Sequence, residues 1–299
     1  MTPASEEHRV RSPESESAPP HGHPLDSVLR SEVLPHIWCP GCGIGIVVGA
    51  YVRAIQKSGI PRDRQISISG IGCTGRVSGY LNLDSYHTTH GRAIAFATGM
   101  AVVRPELEIT VIAGDGDLGV IGGNHLIHAA RRNVDMNVIM VNNFNYGMTG
   151  GQHGGTTPLG AKTHTSPYGN VETPFNIPYL VAASGASFVA RWTALHVRQV
   201  TAAIRRMMEV KGFAFMEVLS PCPPTFGEFN GFPEALDMMN YFRDKSVVDN
   251  DADLSKIGVT VRPDDQVVVG NFVDRRRPTY QELLSELRTK VEAKEASKK

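Results

Sequence analysis

The spacing between two short polar motifs constrains this chain more than any other feature. Gly114-Asp115-Gly116 and Asn142-Asn143 are separated by the 25 residues 117–141. The first motif follows the β-rich run Glu108–Ala113 and precedes a helical stretch, Gly123–Arg132. The second closes the apolar run Met136–Val141. Strand, crossover helix and parallel strand bring both motifs to the same edge of one sheet.

Gly114-Asp115-Gly116-Asp117-Leu118-Gly119 formally matches the dinucleotide pattern G-x-G-x-x-G. Two details argue against a nicotinamide or flavin nucleotide. Asp115 places a carboxylate where pyrophosphate would sit, which repels it unless a cation lies between. A ribose-binding acid is expected at the end of the second strand. Asp135 precedes that strand, and its end carries Asn142-Asn143 instead. A metal-bridged diphosphate answers both points. Magnesium takes hard oxygen ligands from protein and phosphate together. Asp115 supplies a carboxylate, Asn143 an amide oxygen and Asn145 a backbone carbonyl. The glycines let backbone N–H groups approach the diphosphate. The bland alternative is a glycine turn and an asparagine turn spaced by chance. The Gly-Asp-Gly and Asn-Asn spacing resembles the thiamine diphosphate signature.

Further strand candidates are Gln65–Ser69 and Phe213–Leu219, and further helices Arg92–Val103 and Thr193–Lys211. This alternation predicts an α/β fold, a doubly wound, mostly parallel sheet with its site at the strand C-termini. The glycine-, threonine- and proline-rich stretch 142–178 reads as an ordered functional loop. Residues 1–24, rich in Glu, Ser, Pro and His, read as a disordered tail. Residues 25–243 read as the α/β domain, and 244–299 as a C-terminal extension, partly partner-contacting or flexible. Lys plus Arg and Asp plus Glu are 30 each, so charge makes no case for nucleic acid or a membrane surface. No apolar run is long enough to span a bilayer, and no signal peptide pattern opens the chain. The expected compartment is the cytoplasm. There the four cysteines are thiol, metal or cluster candidates rather than disulfides.

Cys39-Pro40-Gly41-Cys42 superficially looks like a thioredoxin motif. That motif should follow a core strand, whereas Leu34-Pro35-His36-Ile37 is short and proline-broken. It also leaves Cys73 and Cys222 without a role. Zinc ribbons usually bring a second close pair, and here the last two ligands come singly. Four thiolates suit a [4Fe-4S] cluster. On spacing alone, a cluster, a zinc site and unrelated buried thiols stay open.

Over residues 30–275 the chain resembles the β subunit of 2-oxoacid:ferredoxin oxidoreductases. The resemblance rests on Trp38-Cys39-Pro40-Gly41-Cys42-Gly43, Gly70-Ile71-Gly72-Cys73-Thr74-Gly75, His90-Gly91-Arg92-Ala93, Gly114-Asp115-Gly116-Asp117, Asn142-Asn143 with Tyr146-Gly147-Met148-Thr149-Gly150-Gly151-Gln152, and Pro221-Cys222-Pro223. It implies thiamine diphosphate and Mg2+ held by Asp115, Asn143 and Asn145. It implies a [4Fe-4S] cluster on Cys39, Cys42, Cys73 and Cys222. Ile71, Gly72, Cys73, Thr74 and His90 match cofactor-lining positions, and Gly116, Asp117, Gly147 and Met148 would line the diphosphate. His90 is the catalytic candidate, against a helix-start histidine bonded to backbone. Arg76 is the candidate for a substrate carboxylate, against a solvated loop arginine. The implied reaction is oxidative decarboxylation of a 2-oxoacid to its coenzyme A thioester, with electrons passed to ferredoxin. Tyr146–Gln152 and Ser166-Pro167-Tyr168-Gly169-Asn170 resemble the 2-oxoglutarate branch most; pyruvate and other oxoacids are alternatives. A partner α subunit would supply the pyrimidine-binding domain and the activating glutamate, in a heterotetramer. A non-catalytic cluster or zinc protein and a nicotinamide oxidoreductase are the competing classes.

Overall fold

The computed structural model describes Gly22, residues 24–261 and residues 265–298. Most of the tail expected at 1–24 therefore lies outside the described residues. The strands are β1 (Gln65–Ser69), β2 (Asp84–His87), β3 (Glu108–Gly114), β4 (Met136–Asn142), β5 (Phe188–Thr193), β6 (Phe213–Leu219), β7 (Ser246–Val248) and β8 (Val267–Asp274). They form one sheet in the order β2-β1-β3-β4-β6-β5-β8-β7. Every pairing is parallel except β5 with β8. The helices are α1 (Ile44–Lys57), α2 (Ala93–Val103), α3 (Gly123–Arg132), α4 (Ile177–Ser184), α5 (Val197–Glu209), α6 (Asp237–Lys245) and α7 (Tyr280–Ala296).

The central strands are apolar on both sides because both faces are covered. Ile112, Ile139 and Met216 face a core shared with α1 and α5. Their neighbours Val111, Val138 and Phe215 point the opposite way, into a core shared with α2, α3 and α4. Side chains alternate faces along a strand, so adjacent residues fill different cores. This is the doubly wound, mostly parallel sheet expected from the sequence.

The boundary at residue 243 does not hold as drawn. It falls inside α6, and β7 and β8 extend the same sheet. Trp192 Nε1 donates to Asn271 Oδ1 at 3.0 Å across the β5–β8 seam. The first turn of α7 carries a capping box between Thr279 and Glu282. It is tied down by Asn133, whose Nδ2 donates to the carbonyls of Arg277 and Pro278. Only the outer part of this stretch is exposed helix. β2 has no counterpart in the sequence reading, because Asp84-Ser85-Tyr86-His87 is a polar, exposed edge strand.

Glu108 opens β3 beside Asn137, whose amide donates to it. Burial pushes its carboxyl up to about 7, and the charge of Asp135 adds to this. The folded chain therefore holds this proton more tightly than the unfolded chain does. Stability is lost as pH rises from the ordinary value of 4.5 through about 7. Glu108→Gln should raise unfolding free energy at pH 8 by on the order of 2–3 kcal/mol and flatten that slope. Denaturant melts at pH 5 and pH 8 check it; an unchanged slope would discount the buried carboxyl.

Candidate active site

The loops leaving β1, β3, β4 and β6 all emerge at the C-terminal edge of the sheet, where α/β folds place ligands. β3 ends at Gly114, and the chain turns at once into a wide π-helical turn, Gly116–Ile121, that begins directly after Asp115. β4 ends at Asn142, and Phe144 follows with φ of 66°. This left-handed residue folds the loop back, so that Asn143 and Asn145 meet Asp115.

Three oxygens converge there. The Asn143 side-chain oxygen lies 2.9 Å from the Asn145 carbonyl oxygen and 3.1 Å from Asp115 Oδ1. Exchanging the ends of the amide would turn both contacts into hydrogen bonds. The oxygen-inward orientation is the one a cation requires. Magnesium–oxygen bonds of about 2.0–2.1 Å at right angles put neighbouring ligand oxygens about 2.9 Å apart. Asp115 is buried and accepts from the Thr156 hydroxyl, yet burial still pushes its carboxyl up to about 6. A dication at this point would offset that desolvation. Thr156 was not singled out from the sequence; its only signal is its place in the long loop.

Around this point the backbone comes close. A Cβ on Gly116 would stand 2.2 Å from the Tyr146 ring, and one on Gly70 would stand 1.8 Å from Asp117 Oδ2. Only glycine fits either position. Asp117 Oδ1 accepts from Gly91 N at 2.6 Å and engages His90 Nδ1 at 2.5 Å. Its Oδ2 is buried with no partner among the described residues. Ile71, Gly72, Cys73, Thr74, His90, Gly116, Asp117, Gly147 and Met148 border one pocket together with Asp115, Asn143 and Asn145. The structure does not bring Arg76 into this pocket. It is exposed on the 3-10 turn Thr74–Tyr80, which carries its side chain outward, although its charge reaches Cys73.

A second pocket adjoins the first, and Cys39, Cys42, Cys73 and Cys222 all border it. Cys73, Asn143, Gly147 and Met148 line both pockets and form their common wall. All four cysteines are free thiols. Burial pushes Cys42 up to about 12 and Cys73 up to about 11, and the charges of the other cysteines add to both. The thiols are thus close enough to feel one another. Even so, among the described residues no three His, Cys, Asp or Glu side chains converge on one metal ion. Tetrahedral zinc, with bonds of about 2.3 Å, would draw its sulfurs to about 3.8 Å of each other. A cubane cluster spreads them more widely, because each thiolate binds a different iron. Trp38 holds the loop of Cys39 and Cys42 against Cys73, donating Nε1–H to its carbonyl at 2.8 Å.

Residues 70–218 match the thiamine pyrophosphate enzyme C-terminal TPP-binding domain. Fold, domain match and site together define a thiamine diphosphate-binding α/β protein. The 2-oxoglutarate synthase subunit KorB of Methanocaldococcus jannaschii is 45% identical, over 91% of this chain and 99% of that one. The KorB subunit of Archaeoglobus fulgidus is 55% identical over 65% of this chain and 73% of its own. The solved 2-oxoglutarate:ferredoxin oxidoreductase of Magnetococcus marinus, with 2-oxoglutarate, coenzyme A and succinyl-CoA bound, superposes with a TM-score of 0.79. It is 33% identical and covers 89% of this chain and 90% of its own. The chain belongs to the 2-oxoglutarate:ferredoxin oxidoreductase β-subunit (KorB) family. Among the described residues no helix is long and apolar enough to cross a membrane.

Proposed function

We propose that this chain is the thiamine diphosphate- and cluster-carrying β subunit of a cytoplasmic 2-oxoglutarate:ferredoxin oxidoreductase. The complex would convert 2-oxoglutarate and coenzyme A to succinyl-CoA and carbon dioxide, two electrons leaving for ferredoxin. One observation carries this reading: an oxygen-lined cation point and a four-cysteine pocket share a wall. Neither simple decarboxylation nor carbon–carbon ligation needs the second pocket.

Asp115, Asn143 and Asn145 would hold Mg2+, and Gly116, Asp117, Gly147 and Met148 would face the diphosphate. Cys39, Cys42, Cys73 and Cys222 would hold the [4Fe-4S] cluster; four free thiols around one pocket support this reading. Bound here, thiamine diphosphate supplies the electron sink for loss of carbon dioxide, and the cluster a one-electron acceptor beside it. His90 reaches the pocket with Nδ1 held by Asp117, so proton exchange with a ligand falls to Nε2. Among the described residues no glutamate lines the pocket. The activating glutamate would therefore come from a partner α subunit with a pyrimidine-binding domain, in a heterotetramer.

Anaerobic purification of the chain alone and with its partner tests this. Coenzyme A-dependent viologen reduction is expected from the complex only, highest with 2-oxoglutarate among a panel of oxoacids. Robust oxidation by the single chain would overturn the subunit reading; preference for pyruvate would overturn the substrate.

A further inference from the structure

Behind the cation point lies a buried charge relay that touches neither pocket. Arg191 on β5 and Glu217 on β6 are register partners, each about 1% exposed. Arg191 Nε donates to Glu217 Oε2, and its Nη1 donates to the Ile257 carbonyl at 2.5 Å. The other carboxylate oxygen, Glu217 Oε1, accepts from Asn142 Nδ2 at 2.9 Å. Asn142 Oδ1 in turn accepts from the backbone N–H of Phe144 at 3.1 Å.

The order of these contacts fixes an orientation. A carboxylate is acceptor-only, so it holds the Asn142 amide with nitrogen toward Glu217 and oxygen toward Phe144. That oxygen closes an Asx turn over Phe144. Phe144 is not glycine, and a left-handed backbone there needs such support. Its ring is buried against Phe226, with ring centres 5.2 Å apart, and its carbonyl accepts from the Thr157 hydroxyl at 2.6 Å. With Phe144 extended, Asn143 and Asn145 would diverge and the three oxygens would separate.

We infer that Glu217, backed by Arg191 and acting through Asn142, is a positioning residue that sets the metal affinity of the Asn143–Asn145 loop. The inference rests on the reading of Asp115, Asn143 and Asn145 as metal ligands. It also gives the stretch after residue 243 a role, since Ile257 supplies an anchor for the guanidinium. Groups that orient metal ligands from outside characteristically tune affinity by about tenfold or more without contacting the ion; here the effect reaches Asn143 and Asn145 through the turn that Asn142 closes over Phe144.

The test titrates Mg2+ into the anaerobically purified complex at fixed thiamine diphosphate and reads binding by circular dichroism. Iron content and visible absorbance report folding of the neighbouring pocket. Glu217→Gln is expected to raise half-saturating Mg2+ about tenfold, with the cluster intact and turnover largely recovered at saturating Mg2+. A role in folding alone would lower iron content and turnover together, and added Mg2+ would restore neither. If Glu217→Gln does not fold, the double variant Arg191→Met with Glu217→Leu removes both charges without leaving one unpaired, and should show the same Mg2+ shift. Native Mg2+ affinity in the variant that folds overturns the relay. Asp115→Asn run alongside separates the two readings. If it also keeps native Mg2+ affinity, the metal site itself is misassigned; if it alone loses affinity, only the relay fails.

Discussion

Asp115→Asn is expected to abolish Mg2+-dependent thiamine diphosphate binding, weakening it more than a hundredfold, and to cut turnover by about a thousandfold. The substitution keeps the size of the side chain and its contact with Thr156. It removes the one formal negative charge among the three converging oxygens. Two neutral oxygens and a diphosphate hold a dication poorly, and without the dication the diphosphate meets no counter-charge. The metal-free protein should behave in the opposite sense. There Asp115 is a buried carboxylate whose charge burial disfavours, so asparagine should leave the apo fold as stable as before or more so. A residue that costs the empty fold and serves the loaded one is the signature of a binding site rather than of the core. Thermal melts with and without Mg2+ and thiamine diphosphate check this directly. Wild-type protein should gain stability from the pair and the variant should not. If the variant gains equally, Asp115 does not hold the metal.

What could be read from the chain, and what could not, divides along a physical line. The convergence of Asp115 with Asn143 was legible because one crossover fixes where two consecutive parallel strands end. The central strands were legible because sheets covered on both faces need unbroken apolar runs, as in Met136–Val141. β2 was hidden, since an exposed edge strand carries no such run. β8 was hidden for a related reason: it pairs on one side with β5 and on the other only with the three residues of β7, and Gly270 and Asn271 interrupt its valines. Thr156 and the Arg191–Glu217 pair lie far along the chain from the groups they serve, and only tertiary structure brings them near. Arg76 shows the limit of adjacency in sequence: it follows Cys73 closely, yet it lies exposed on a tight turn and outside the lining of the pocket.

Cys222→Ser should remove the visible absorbance of the purified complex and lower viologen reduction on the order of a thousandfold, while Mg2+-dependent thiamine diphosphate binding stays within a few-fold of native. Cys222 is the most buried of the four thiols, on a proline-rich turn after β6, with Sγ 2.9 Å from the Thr225 hydroxyl. Serine fits that space, but its hydroxyl is a hard, weakly acidic ligand where iron needs a thiolate. The fold itself should survive. With Cys42 and Cys73 pushed to about 12 and about 11, the empty pocket holds protonated thiols that pack as small apolar groups. Bound metal is what would draw several such thiols to the thiolate form together. Iron and acid-labile sulfide analysis of the anaerobic wild-type complex sets the reference. Four irons lost on substitution would match a cluster, whereas stoichiometric zinc in a colourless wild-type protein would overturn it. Retention of cofactor binding matters as much, because Gly147 and Met148 line both pockets. If losing the cluster left the thiamine pocket occupied but electrons stranded, the shared wall would be a path for electrons rather than a structural dependence of one site on the other.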